Sequence, residues 1–258
     1  MIRRARSFPA AALVVGALAC GKESVRASPD APGDPPAQAE DDDEREVGVA
    51  GSEGEGDDPV IAPSGGASGA AGLFAEAEHV LTTMTHSTYS HKTRVQGTSY
   101  DVDCSGFVDV LLARVDPPGL EEVRAATVRR PLARHFVQFF RAPSGARWHA
   151  VGRVADLGPG DLLAWTKPAD VTSSNTGHVM VVAGPPRASG GAWVVPVIDS
   201  SASPHGRGDS RKAAHATGIG KGTVVLDVDP AGRPVGYRWS EWKKSRAHPT
   251  EIAMGRLR

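Results

Sequence analysis

At Trp148 the hydrophobic period of this 258-residue chain changes, and that change limits what it can build. Before it, apolar residues recur three and four apart, the spacing of one helix face. Leu73, Phe74, Ala77, Val80, Leu81 and Met84 make one such face; Phe107, Val108, Leu111, Leu112 and Val115 make a second, stopped by Pro117, Pro118 and Gly119. Leu120 to Ala126 reads as a further short helix. Pro131 opens another, with Leu132, Phe136, Phe139 and Phe140 on its buried side. From Trp148 onward the pattern is that of strands. They are expected at 148–154, after the Leu157-Gly158-Pro159-Gly160-Asp161 turn, and at 177–184, 193–201, 222–228, 236–239 and 251–257. The unbroken apolar run from Val179 to Ala183 implies a strand buried on both faces. Helical segments first and strands after them give an α+β class.

None of this core lies in the first seventy residues. Arg3, Arg4 and Arg6 precede an apolar stretch, Phe8 to Leu18, that is too short to span a bilayer. Residues 1–20 therefore read as an export signal. Its end, Gly16-Ala17-Leu18-Ala19-Cys20, resembles a bacterial lipobox, with Cys20 acylated and left as the mature N-terminus. Ala17 stands where a leucine is usual, and simple cleavage after a small residue is the competing reading. Residues 21–71 are rich in Pro, Gly, Ser and acids, including Glu40-Asp41-Asp42-Asp43-Glu44, and offer almost nothing apolar to bury. They read as a disordered spacer between lipid and a folded domain at 72–258. The acidic run lacks a calcium-loop pattern.

Charge divides in the same way. Through residue 70 there are 6 basic and 13 acidic residues, leaving 23 against 17, a net of +6, for the rest. The basic residues are scattered, so an anionic polymer other than nucleic acid is the expected partner. A monomer is expected, as no coiled coil or exposed apolar stripe is visible.

The segment Tyr100-Asp101-Val102-Asp103-Cys104-Ser105-Gly106-Phe107-Val108 carries the chemistry. Asp103 can cap the helix that follows. Cys104 then lies on the first turn, where the positive end of the dipole favours thiolate over thiol. Small Ser105 and Gly106 leave room for a substrate. With Cys20 spent on lipid, Cys104 is a lone thiol in an exported protein, a liability unless it works.

Asp-Cys-Ser-Gly-Phe-Val, the Pro159-Gly160-Asp161-Leu162 turn and the Gly177-His178-Val179 strand together resemble the NlpC/P60 superfamily, papain-like cysteine peptidases of the bacterial cell wall. The resemblance covers roughly residues 72–258. It implies a central antiparallel sheet packed against helices, with the nucleophile at a helix N-terminus. It also implies hydrolysis of peptidoglycan stem peptides, near the γ-D-glutamyl–diaminopimelate bond, by an envelope enzyme. On this alignment Cys104 is the nucleophile, His178 the base and Asp199, on the next strand, the group that orients His178. Many members have His, Asn or Gln at that last place. His205 competes with Asp199 for the role. Tyr89 is placed along the substrate cleft, with Tyr100 as its rival. Ser105 is a weaker oxyanion donor beside the Cys104 and Ser105 amides. His205, Arg207 and Arg211 are candidates for a substrate carboxylate, and Asp161 is expected to bond turn amides.

Other readings remain open on sequence alone. The same fold could bind peptidoglycan without cutting it, or pass an acyl group to an amine or alcohol. No cofactor is called for. His178, Asp199 and His205 are zinc-ligand types, but no His-Glu-x-x-His helix is present and a metal leaves Cys104 idle, so no metal is expected. Arg207-Gly208-Asp209 spells an integrin tripeptide, taken as chance.

Overall fold

The computed structural model describes residues 68–172, 174–214 and 216–258. The export signal, Cys20 and all but the last four residues of the expected spacer lie outside them. Five α-helices and twelve strands follow in order: α1 (Gly69–Thr83), β1 (His86–Thr88), β2 (Arg94–Gln96), β3 (Ser99–Asp101), α2 (Cys104–Val115), α3 (Pro117–Ala126), α4 (Ala133–Arg141), β4 (Trp148–Ala150), β5 (Leu162–Thr166), β6 (Gly177–Val182), β7 (Arg187–Ser189), β8 (Ala192–Ser201), α5 (Ser210–Ala214), β9 (Gly218–Val228), β10 (Pro234–Arg238), β11 (His248–Pro249) and β12 (Ile252–Leu257). Among the described residues no helix is long and apolar enough to cross a membrane.

The class is mixed α and β, with a large antiparallel sheet. Its strands run β11-β10-β9-β8-β6-β5-β12-β4, and β7 pairs with β8 off that path. A smaller sheet, β1-β3-β2, precedes α2. Alternation along β5 and β6 divides the core. Leu162, Ala164, Val179 and Val181 face the helices, packing with Leu73 and Val80 of α1, Phe107 and Leu111 of α2, and Phe136 and Phe140 of α4. Leu163, Trp165, Met180 and Val182 face the other way, against Val195, Leu226, Val154 and Tyr237. Both faces are apolar because both are covered, so β6 reads as one continuous apolar run.

Several boundaries differ from the sequence reading. α1 begins at Gly69, inside the expected spacer. Gly69 has φ +63°, and a side chain there would meet the backbone of Arg258 at 2.6 Å. Pro117 and Pro118 do end α2, but they also open α3, filling its first positions while Asp116 caps it through the Gly119 amide. Proline fits there, where an N–H would have no helical partner. Pro131 and Leu132 precede α4 rather than belonging to it. The polar stretch 85–99 contains β1 and β2, and Tyr100 and Asp101 belong to a strand rather than a helix approach. These strands are three residues long, too short to show a period. The strand expected at 148–154 stops at Ala150 and gives way to a 3-10 turn at Val154–Asp156.

Candidate active site

Two backbone features bring a thiol to an imidazole. Asp103 is extended, φ −82° and ψ −179°, and its carboxylate accepts from the Gly106 amide at 2.6 Å. Its carbonyl accepts from Phe107. The four amides at a helix start lack helical partners. The Phe107 bond is the first of the helix; of the amides before it, the Asp103 carboxylate takes that of Gly106 and leaves those of Cys104 and Ser105. The second feature is a parting of strands. β6 pairs with β8 at Val181↔Ile198 and Val182↔Val197, and no further toward its start. β8 meanwhile stays paired with β9 through Ser201. The start of α2 meets the sheet where β6 and β8 diverge. The Ser200 hydroxyl donates to the Val102 carbonyl at 2.6 Å, fixing the approach to Cys104 against β8.

Cys104 is 5 % exposed and His178 likewise. His178 lies close enough to Cys104 for the sulfur to act on the charge of its ring. Its Nε2 donates to Asp199 Oδ2 at 2.5 Å, so Nδ1 is the ring nitrogen that remains. Burial opposes charge on this ring, but the Cys104 sulfur and the Asp199 carboxylate outweigh it and push His178 up to about 10.

Asp199 is fully buried and heavily bonded. His205 Nε2 donates to Oδ2 at 2.8 Å, and Arg211 Nη2 donates to Oδ1 at 2.9 Å. Burial alone would raise this carboxyl; Arg211, then His205, with hydrogen bonds from both histidines, hold it well below the ordinary range. Arg211 is 2 % exposed. Nε and Nη2 donate to Asp209, and Nη1 donates to Ser201 Oγ and the Gly218 carbonyl. Asp209 also accepts from the backbone amides of His205 and Arg211. The imidazole of His178 is thus the visible end of a buried chain: His178, Asp199, then His205 and Arg211, then Asp209. Aromatic rings close its flanks. Trp239 lies 5.2 Å from His178 and 4.0 Å from His205, and Trp165 lies 5.5 Å from His178.

Of the residues singled out by sequence, Cys104, His178 and Asp199 come together. The choice between Asp199 and His205 resolves into two layers: Asp199 touches His178, and His205 touches Asp199. His205 is corrected as a substrate contact. Its side chain has no exposed surface, and its Nδ1 lies 3.1 Å from the Trp239 carbonyl oxygen. Arg211 is corrected for the same reason, since all its donors are taken inside the protein. Arg207 is exposed and forms no ion pair among the described residues. Asp209, the end of the integrin-like tripeptide, is buried. Tyr89 is half-buried beside Val102, whose N–H and C=O bond to Thr88 and Ser90. Tyr100, the rival, is a core residue whose hydroxyl accepts from Arg114 at 3.1 Å. Ser105 is buried, with Oγ 3.9 Å from Cys104 Sγ. Asp161 accepts from the Gly158 amide at 2.8 Å and from Arg256.

Sequence reasoning missed Asp209 as a support and Trp239 as a wall. Neither carries a motif; their roles depend on a loop folding inward. Possible metal ligands also converge: one atom each of His178, Asp199 and His205 lies within 4.8 Å of the others. Both Nε2 atoms, however, sit on the same carboxylate oxygen at hydrogen-bond distance, and Arg211 neutralises its partner oxygen. Zinc ligands about 2.0–2.1 Å from a tetrahedral ion would stand roughly 3.3 Å from one another. As arranged, these groups bond to each other.

The chain is 32% identical over 178 residues to a protein of Acanthamoeba polyphaga mimivirus described as uncharacterized protein R653, a match covering 60% of this chain and 77% of the viral one. No family model matches the chain, and no solved structure matches it.

Proposed function

We propose that this chain, which belongs to one family with the mimivirus protein R653, is a cysteine amidase with a papain-like NlpC/P60 fold. The observation that carries the reading is the placing of Cys104, on the first turn of α2, near enough to His178 for its sulfur to act on the ring, with His178 itself held by Asp199. The order Cys, His, Asp along one helix and two antiparallel strands supports it further.

The chemistry follows from the groups. The Cys104 thiolate attacks an amide carbonyl, and the oxygen gains charge within reach of the Cys104 and Ser105 amides. His178, as imidazolium, gives its proton to the leaving nitrogen; the C–N bond breaks, an amine departs and a thioester remains. Water then attacks the thioester while His178 takes its proton. The C–S bond breaks, releasing a carboxylic acid and restoring the thiolate–imidazolium pair. Asp199 keeps His178 in orientation throughout. Trp165 and Trp239 limit water around the ring, which strengthens the charge contacts.

By resemblance the substrate is a peptidoglycan stem peptide, and the protein is an exported lipoprotein anchored through Cys20, outside the described residues. Sacculi incubated with wild type should release muropeptides bearing new amino groups, and Cys104→Ala should release none. Equal release by both would reject the reading. Transfer of the acyl group to an added amine, in place of hydrolysis, would mark an acyltransferase on the same machinery.

A further inference from the structure

A cavity lies on the flank of α2. Its volume is about 380 Å³, and it is lined by Gly106 and Asp109 of α2, by Thr93, and by Arg124, Arg129 and Arg130 around the α3–α4 connection. Asp109 is five residues beyond Cys104, about 140° around the helix. The size suits a small organic molecule rather than a single ion.

Three guanidinium groups and one acid line it, and two of the three are also paired with acids outside the lining. Arg124 is divided between Glu121 at 2.8 Å and Asp109 at 3.3 Å. Arg130 donates to the His91 carbonyl at 2.6 Å and to Asp103 at 3.3 Å. Arg129 is exposed and forms no ion pair among the described residues. Burial pushes Asp109 up to about 6 against the pull of Arg124 and Arg130, so near neutral pH it is largely ionised and offsets Arg124, with which it pairs. Two atoms of this wall are also orphaned: Asp109 Oδ1 and Arg124 Nε are buried without a hydrogen-bond partner. A native structure has few such atoms, and each asks for a partner.

We propose that this cavity binds a small molecule bearing a carboxylate or phosphate group, gripped by Arg129 together with Arg124. A planar guanidinium fork fits either oxyanion bidentately. Thr93 and Asp109 offer hydrogen bonds to a donor on the same ligand. The site is separate from the reading of Cys104 and stands whether or not that thiol is a nucleophile.

The test is an NMR titration of the ¹⁵N-labelled full-length chain near neutral pH with sodium glutarate and, separately, sodium phosphate. Sodium chloride at matched ionic strength is the control. The Gly106 and Asp109 amides should shift saturably with at least one of the two anions, and which one identifies the oxyanion. Arg129→Ala, at an exposed position, should weaken that binding about tenfold or more. Shifts no larger than those from chloride would overturn the proposal, as would binding that Arg129→Ala leaves unchanged.

Discussion

His178 carries a charge that its own burial opposes, so its state reports on its neighbours. Its folded value near 10 lies above the ordinary 6.5. A raised value means the charged ring stabilises the fold. That contribution is complete below about pH 6.5, shrinks as pH rises, and is gone above about pH 10. Denaturant unfolding at pH 6, 8 and 10 should therefore show wild type losing stability relative to His178→Ala; parallel curves would contradict the pairing. Arg211 makes the sharper energetic case. It is the only cation bonded to both Asp199 and Asp209 among the described residues. Arg211→Met would leave two buried carboxylates facing one another's charge. A loss of about 3–5 kcal/mol in unfolding free energy is expected. A loss below about 1 kcal/mol, the scale of a surface pair, would mean the chain is not held as described.

At the scale of elements, the site depends on where β6 starts. Gly177 has φ +128°, and a side chain there would run into the Trp165 carbonyl. Gly177→Ala should thus cost about 1–3 kcal/mol and displace His178, its neighbour, lowering the reactivity of Cys104. Gly190→Ala also has positive φ but meets nothing within 4 Å, so it should leave Cys104 reactivity unchanged. Thiol labelling of both variants checks this; equal losses would show that β6 placement is not what matters. Much of this level was legible in the sequence. The cap at Asp103, the apolar face of α2 and the apolar run of β6 are local patterns with local causes, and each element stands within a few residues of expectation. His205, Asp209 and Arg211 were legible only as polar loop residues. Their burial requires β9 and β10 behind the loop, a tertiary fact no periodicity encodes. Trp239 likewise reads as the end of a strand until its ring is seen 4.0 Å from that of His205. The strands of the small sheet were lost to their shortness.

For the whole molecule, the two halves of the period change are interdependent. The helical half supplies Cys104 and the strand half supplies His178 and Asp199, so neither half holds a site alone. The last strand, β12, lies between β5 and β4 rather than at an edge. It carries the sheet under α4 and thereby the platform on which α2 rests. Sheet and helices share one helix-facing core that runs from Leu73 to Leu257. The central claim joins these halves in one contact, Cys104 with His178, and alkylation tests it most directly. In a Cys20→Ser background Cys104 is the single thiol of the chain. Iodoacetamide near pH 7 should label it about tenfold or more faster in the folded protein than in the denatured one, and His178→Ala should abolish that advantage. Labelling that is slower in the folded state, or that ignores His178, would contradict the account.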